Sequence, residues 1–202
     1  MEFKIRPARH EDAAEAVPLI YSSGPTAFDF VFKSGESEPA CEFLNFVFGQ
    51  ESGEFGFGNH TVVTHLEDVV GAGACFGAEH DFAFTLAAVR QMLAFYGLRN
   101  GLAALRRGLQ IHRLYRLPPR GQSYIAHLGV APSMQGRGIG RLLIERFLAV
   151  SREQSKTHCA LDVSMENPRA QALYHRLGFR VTAEQPPLLE GVPGHRRMEI
   201  SL

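Results

Sequence analysis

Three closely spaced glycines are the part of this 202-residue sequence best suited to chemistry. Gly136, Gly138 and Gly140 follow a strand-like segment and open a segment with helical spacing. Glycine allows the backbone to approach a ligand closely, and the amides at a helix N-terminus attract anions. The pattern predicts a cradle for a diphosphate, although the glycines by themselves could equally form only a tight turn.

A second strand-to-helix unit follows the glycine segment. Asn167 is predicted to be the N-cap of its helix, Pro168 the first helical residue and Gly178 the C-cap. Tyr174 lies on the apolar stripe of this helix, so we interpret it either as a core aromatic residue or as a phenol that protonates a leaving group. The two units predict parallel strands that each end beside a helix start.

The remaining elements must position these residues. Apolar alternation predicts strands at residues 3–6, 61–64, 68–76, 123–130, 159–164, 179–183 and 197–201. Helical spacing predicts helices at residues 10–21, 28–32, 40–48, 82–96, 102–114, from 139 onwards and at 168–177. This order predicts a mixed α/β (α+β) fold with an antiparallel part and one βαβ unit. The length and the 45% apolar content predict a single domain over residues 1–202.

Charge is distributed unevenly although the formal net charge is zero. Residues 1–81 carry four basic and 14 acidic side chains, whereas residues 82–144 carry nine arginines and no acidic residue. The arginine-rich segment is consistent with a polyanionic small ligand or with internal charge pairing. Overall neutrality and the acidic first segment argue against nucleic acid as a partner.

Membrane, secretory and metal-binding patterns are not found in the sequence. No stretch reaches the roughly 18 uninterrupted apolar residues that a membrane-spanning helix needs, and the N-terminus lacks the apolar core of a secretory signal. We therefore expect a cytoplasmic protein with no membrane partner. Cys41, Cys75 and Cys159 are far apart, so they predict neither a disulfide framework nor a metal site.

The glycine segment belongs to a longer motif of the form Q/R-x-x-G-x-G/A. The motif consists of Gln135, Gly136, Arg137, Gly138, Ile139 and Gly140. The strand before this motif ends in Leu128, Gly129 and Val130. In the second strand-to-helix unit, Asn167 caps the helix and Tyr174 lies on it. On these residues the chain resembles the GNAT N-acetyltransferase superfamily, whose acyl-CoA-binding motif has this form. The resemblance covers residues 123–182 by motif, whereas the first half agrees in element order and in its opening residues.

The resemblance implies a GNAT-like central sheet of about seven strands, mixed but mostly antiparallel and flanked by helices. The family joins the third and fourth strands by a short turn, whereas a helical insertion occupies about residues 78–121 here. The resemblance also implies the direct transfer of an acetyl group from acetyl-CoA to a primary amine, in a ternary complex and without a metal. The amine would belong to a small molecule, a peptide or a protein.

The resemblance assigns binding roles to particular residues. The amides from Gln135 to Arg141 would hold the pyrophosphate of acetyl-CoA. The backbone of Leu128, Gly129 and Val130 would pair with the pantetheine arm like an added strand, and an amide there could polarise the thioester carbonyl. Asn167 would bond a pantetheine amide, a role compatible with its interpretation as a helix N-cap.

The proton transfers involve two further residues. Tyr174 matches the family tyrosine that protonates the leaving thiolate. The strand position that in some members carries a glutamate base is Ala126 here, so His127 is the nearest titratable candidate for the general base. A histidine on a strand can equally be structural. The other candidates are a water relay and the residues Glu79, His80 and Asp81.

Alternatives to this function remain open. A dinucleotide-binding domain would use the same glycines with Asp162 as the ribose-binding acid, but the third glycine is one residue early for G-x-G-x-x-G. A catalytically idle regulator would bind acetyl-CoA and release no thiol. The acidic first segment predicts a cationic amine acceptor. The apolar residues of the insertion could pack on the domain or on a second subunit, of which we favour the second, a homodimer; they are Phe82, Phe84, Leu86, Val89, Leu93 and Phe95.

Overall fold

A seven-stranded sheet with helices on both faces forms the centre of the molecule. The computed structural model describes residues 2–33, 40–114, 119–189 and 191–202. The strands are β1 (Lys4–Pro7), β2 (His60–His65), β3 (Asp68–Gly77), β4 (Gln122–Val130), β5 (His158–Ser164), β6 (Arg180–Gln185) and β7 (His195–Ser201). The helices are α1 (Ala13–Ser22), α2 (Pro25–Phe32), α3 (Ala40–Phe48), α4 (Asp81–Leu114), α5 (Ile139–Glu153) and α6 (Pro168–Arg176).

The sheet is mixed, with the strand order β1-β2-β3-β4-β5-β7-β6. β4 and β5 are parallel and are connected by the crossover helix α5. All the other neighbouring strands are antiparallel. The mostly antiparallel sheet of about seven strands implied by the resemblance is therefore confirmed.

β4 and β5 pair over only part of their length. Their hydrogen-bonded register runs from Gln122, opposite His158, to Ile125, opposite Leu161. Beyond Ile125, the residues Ala126, Gly129 and Val130 still pair with β3 on one side, and residues 126–130 pair with no described strand on the other. The second half of β4 therefore presents an open edge inside the sheet.

A bulge in β4 coincides with the point where the two strands separate. His127 and Leu128 both lie opposite Gly73, because the register between β3 and β4 shifts there. His127 adopts a φ of +56°, a left-handed conformation uncommon for a residue with a side chain. Because a bulge bends its strand and redirects a side chain, this local geometry accounts for the departure of β4 from β5.

The two faces of the sheet bury different cores. Adjacent valines on β2 show the division, since Val62 packs with α1 to α4 on one face and Val63 packs with α5 and α6 on the other. Successive side chains of a strand point to opposite faces of the sheet, so two neighbouring apolar residues need packing partners on both faces. Ile20 and Phe43 are fully buried in the first core, and Leu143 in the second.

Helix α1 lies directly on β4 at Gly129. A Cβ built on Gly129 would lie 2.0 Å from the main-chain oxygen of Leu19. No side chain fits in that space, so Gly129 is needed for the close approach of this helix to the sheet.

The helical insertion lies between β3 and β4, as predicted. It forms the long helical segment α4, which is broken only at Gly97, where φ is +71° and ψ is −179°. The predicted connection over residues 97–101 is therefore shorter than expected, because a single glycine makes the turn. Phe84 is buried against the domain, whereas Phe82 is 81% exposed. Residues 115–118, within the predicted insertion, lie outside the described residues.

Some predicted boundaries shift by a few residues. The sequence predicts the turn between β2 and β3 near Glu67 and Asp68, and the structure forms it one residue earlier, at Leu66 and Glu67, both with positive φ. β7 begins at His195 instead of residue 197, because its pairing with β5 extends to Ser164. The three cysteines are free, and only Cys159 is fully buried. No helix in the described ranges is long and apolar enough to cross a membrane.

Candidate active site

The glycine segment connects the open edge of β4 to the start of α5. After Val130 the chain makes a short turn at Pro132–Met134 and then passes through Gly136 and Gly138, with φ of +81° and +87°. These left-handed conformations require glycine. A Cβ at Gly138 would meet no atom within 4 Å, so the space beside this residue is open.

The first turn of α5 points unbonded amides into this space. The first bond of the helical ladder runs from the Leu142 amide to the Gly138 oxygen, at 2.9 Å. The amides of Ile139, Gly140 and Arg141 precede that bond and have no intrahelical acceptor. Together with the helix dipole they form a positive pole that suits a phosphate group.

The start of α6 packs against the glycine segment. Arg169 of α6 donates a hydrogen bond of 2.7 Å to Oε1 of Gln135. A Cβ on Gly140 would lie 3.3 Å from Leu173, so α6 contacts the first turn of α5 closely. Asn167 accepts a hydrogen bond of 3.0 Å from the Ala170 amide, which confirms its prediction as an N-cap.

Tyr174 lies in the core between α5 and α6. Its side chain is 7% exposed, and its ring centroid is 6.0 Å from that of Phe179. Burial raises the pKa of Tyr174 to about 12, so the phenol keeps its proton throughout the neutral range. The structure therefore places Tyr174 on the apolar stripe predicted for it, with a hydroxyl that can donate a hydrogen bond.

His127 points away from Tyr174, into an aromatic cage on the opposite face. Its ring stacks on Phe55, with centroids 4.7 Å apart, and lies 6.1 Å from the ring of Phe28 and 6.5 Å from that of Phe76. The side chain is 8% exposed. The cage holds the imidazole in one orientation at the point where β4 leaves β5.

Two polar side chains contact the imidazole of His127. Its Nδ1 lies 3.2 Å from Nε2 of His60 on β2, and its Nε2 lies 3.4 Å from Oε1 of Glu54. Nδ1 of His60 in turn lies 3.0 Å from the main-chain oxygen of Gly56. Burial and the proximity of His127 lower the pKa of His60 to about 3, so His60 is neutral. In the described part of the chain no group of His, Cys, Asp or Glu side chains is arranged to hold a metal ion.

The other candidates for a base occupy less suitable positions. Glu79 bonds Lys156, and this hydrogen bond lowers the pKa of the carboxyl, which makes it a weaker base. His80 stacks on Phe84 beside α4, and Asp81 opens that helix. None of the three contacts His127 in the described structure.

Asp162 does not have the role that a dinucleotide-binding fold would give it. Its carboxylate is almost fully buried and accepts hydrogen bonds from Arg197, at 2.9 and 2.7 Å, and from the Tyr124 hydroxyl, at 2.8 Å. These bonds leave it no free position towards a ribose. The network ties β4, β5 and β7 together where β4 begins to separate.

Glu54 and His60 could not have been identified from the sequence. His60 and His127 are 67 residues apart, and a single histidine at a strand end carries no pattern. Glu54 lies in a glycine-rich segment interpreted only as a loop. The contact depends on the bulge that turns His127 towards β2, and no local sequence signal predicts that bulge.

A cleft lies next to the loop that carries Glu54. Its volume is about 440 Å³. Residues on both sides of the cleft come from that loop and from the first half of α4, and they include Glu51, Asn59, His80, Phe84 and Arg90. The insertion therefore forms one wall of this cleft, and Phe84 in its lining packs against Phe76, which also contacts His127.

The chain is similar to acetyltransferases in sequence. A family model described as the acetyltransferase (GNAT) family matches residues 48–179. The chain is 43% identical over 68 residues to a mycothiol acetyltransferase of Beutenbergia cavernae, over 34% of this chain and 23% of that protein. It is 42% identical over 71 residues to the N-alpha-acetyltransferase RimI of Mycobacterium tuberculosis, over 35% of this chain and 42% of that protein. The chain thus spans less than half the length of these relatives.

The fold also has close counterparts among solved structures. An N-acetyltransferase from Staphylococcus aureus Mu50 superposes with a TM-score of 0.71 over 98% of this chain and 100% of that chain. The sequence identity is 17%, so this likeness concerns the fold.

Proposed function

The chain belongs to the GNAT acetyltransferase family, and from this premise we propose that it transfers an acetyl group directly from acetyl-CoA to a primary amine. The observation that carries the proposal is the open edge of β4, which leads from His127 to the glycine segment at the start of α5. An extended ligand can pair with that edge while its anionic end meets the helix N-terminus.

The residues present fit acetyl-CoA. The segment from Gln135 to Arg141 would hold the pyrophosphate, and the backbone of Leu128, Gly129 and Val130 would pair with the pantetheine arm. Asn167 is exposed and uses its oxygen as the helix cap, so its side-chain NH₂ group can donate to a pantetheine carbonyl. Acetyl-CoA supplies the thioester whose acetyl group is transferred.

His127 and Tyr174 lie on opposite faces at the open edge of β4, and they suit the two proton transfers of the reaction. The amine nitrogen would bond to the acetyl carbon as the carbon–sulfur bond breaks. His127 would take the proton that the amine loses, and Tyr174 would give its hydroxyl proton to the departing thiolate. The raised pKa of Tyr174 means that the phenol is protonated at neutral pH and has a proton to give. An amide of β4 would polarise the carbonyl oxygen.

We propose that the acceptor is a cationic amine that enters through the cleft beside α4. Glu51 lines the cleft together with Arg90, and Glu54, 41% exposed next to His127, lies in the same loop as Glu51. Carboxylates at an entrance attract a protonated amine, which must then lose its proton before it attacks. The wall formed by α4 would select the acceptor by shape.

A screen of amines with detection of released thiol tests the function. We expect thiol release to depend on both acetyl-CoA and an amine, and mass spectrometry to find the acetylated amine. Substitution of His127 by Gln should remove one ionisation from the profile of rate against pH. Calorimetry that detects acetyl-CoA binding without thiol release from any amine would instead support the idle regulator.

We also propose that the insertion joins two copies of the chain in a homodimer. Phe82, Leu98, Leu102 and Leu109 of α4 are between 53% and 81% exposed. Exposed apolar side chains grouped on one segment are typical of interaction surfaces. Light scattering at micromolar concentration should give twice the chain mass of 22.4 kDa, and a mass of one chain would contradict the dimer.

A further inference from the structure

The side chains around His127 form a hydrogen-bonded array. The array runs from the Gly56 oxygen through His60 to Nδ1 of His127, and the Glu54 carboxylate lies 3.4 Å from the other ring nitrogen, Nε2. We propose that His60 is a positioning residue that keeps the proton of His127 on Nδ1 and leaves Nε2, the atom facing Glu54, to accept the proton of the amine. This inference rests on the proposed role of His127 as the base.

The first step concerns the proton of His60. A main-chain oxygen only accepts hydrogen bonds, so the 3.0 Å contact with Gly56 requires a proton on Nδ1 of His60. The side chain is 2% exposed, and its pKa is lowered to about 3, so His60 carries no second proton at neutral pH. Nε2 of His60 is therefore a hydrogen-bond acceptor.

The second step concerns the proton of His127, whose position follows from that of the His60 proton. Its Nδ1 lies 3.2 Å from the accepting Nε2 of His60, so the proton between the two rings belongs to Nδ1 of His127. A neutral His127 then has its lone pair on Nε2. When that atom takes a proton from the amine, both N–H groups of the cation have acceptors, namely His60 and the Glu54 carboxylate, 3.4 Å away.

The surroundings make this arrangement specific. Among the residues that the structure describes, the titratable groups in contact with the imidazole are Glu54, from the loop before β2, and His60, from β2 itself. From α2, the same loop and β3, the uncharged rings of Phe28, Phe55 and Phe76 cover the remaining surface. The left-handed φ of His127 turns the ring into this cage. Such backbone strain persists only where the surrounding contacts hold the residue in place.

Two substitutions of His60 separate positioning from packing. His60→Gln keeps a donor for Gly56 and an acceptor for His127, whereas His60→Leu removes both. We expect His60→Leu to lower kcat by roughly 10- to 100-fold, part of the effect of a positioned base, with little change in KM. His60→Gln should restore most of kcat. The profile of rate against pH should change in His60→Leu and stay close to wild type in His60→Gln.

The position of the proton can be observed without any activity. Nitrogen-15 NMR of the histidine side chains in the wild-type protein should show His127 protonated on Nδ1 and His60 neutral. His60→Gln should preserve the His127 tautomer. A wild-type His127 protonated on Nε2 and not on Nδ1 would overturn the inference, even if His60→Leu failed to fold.

The kinetic outcomes distinguish this inference from the proposed function. If His127→Gln keeps the wild-type pH profile, His127 is not the base. If His127→Gln loses the ionisation while His60→Leu keeps wild-type kcat and pH profile, His127 is the base but His60 does not position it. Equal impairment in His60→Leu and His60→Gln would mean that His60 serves packing alone.

Discussion

At the scale of single residues, Gly138 keeps the proposed phosphate cradle open. Gly138→Val should weaken acetyl-CoA binding by at least about 100-fold, because the new side chain would fill the open space in front of the α5 amides. Loss of two hydrogen bonds to a charged group, at about 1.5–3 kcal/mol each, accounts for that factor. Isothermal titration calorimetry measures it.

Gly121 provides a matched control for the backbone strain. It has a φ of +85° and no atom within 4 Å of a built Cβ, but it lies in the turn before β4. Gly121→Val should lose a similar amount of stability and bind acetyl-CoA as the wild type does. Wild-type affinity in a folded Gly138→Val protein would remove the cradle from the proposal.

The hydroxyl of Tyr174 should matter for turnover and little for binding. Tyr174→Phe keeps the ring in the core, so we expect unchanged acetyl-CoA affinity and a turnover lowered by roughly 10- to 1,000-fold. Tyr96→Phe removes the hydroxyl of a half-buried tyrosine that donates to the Phe32 oxygen, and it serves as the control. Steady-state kinetics with chemistry as the slow step tests this, and unchanged turnover would make Tyr174 a core residue only.

Neutral His60 should make the folded protein sensitive to acid. Its pKa is lowered to about 3 in the folded state by burial and by His127, whereas an unfolded histidine titrates near 6.5. Between these values the unfolded chain binds more protons, so the free energy of unfolding falls as the pH falls from about 6.5 to 3. His60→Gln should flatten this part of the profile, measured by urea unfolding. An identical slope in the two proteins would contradict the assignment.

At the scale of the elements, the contact between α1 and β4 leaves no room for a side chain. Gly129→Ala should lower the free energy of unfolding by about 1–3 kcal/mol or more, because the Leu19 main chain must move. Gly108 on α4 has only ordinary contacts at 3.8 Å, so Gly108→Ala should be neutral or stabilising. Denaturant unfolding of both variants tests the prediction. Equal stability of the two would show that α1 can move away freely.

The elements that the sequence predicts well are those with local signals. The glycine segment, the Asn167 cap and the turn at Gly178 each depend on a few neighbouring residues, and the structure places them as expected. The bulge at His127 depends on pairing with a distant strand, so its direction was not predictable. The contact between His127 and His60 was not predictable for the same reason.

At the scale of the whole molecule, the uneven charge predicts how the acceptor is chosen. Two of the described arginines of residues 82–144 have partners other than the acidic first segment, since Arg107 bonds the Val31 oxygen and Arg141 pairs with Glu145 of its own helix. We expect polyamine-like substrates to be used better than acidic amines, with activity rising towards the pKa of the amine. The KM for a cationic amine should rise on the order of 2- to 10-fold with added salt.

Kinetics at two ionic strengths with cationic, neutral aromatic and acidic amines measure this preference. A neutral amine is the control, because its KM should not respond to salt. Equal use of the acidic amine without a salt effect would remove the cationic acceptor and leave the acetyltransferase proposal intact.

The long insertion leaves and rejoins the sheet at neighbouring points. Gly77 at the end of β3 pairs with Ser123 near the start of β4, so the segment closes a loop whose ends are already held together. Chain entropy penalises such a loop by only about 0.6 kcal/mol for each doubling of its length. Met92 and Ala104 are nevertheless buried in the core of the first face. The length of this segment is therefore free to vary through evolution or engineering, whereas the surface that it packs against the domain is not.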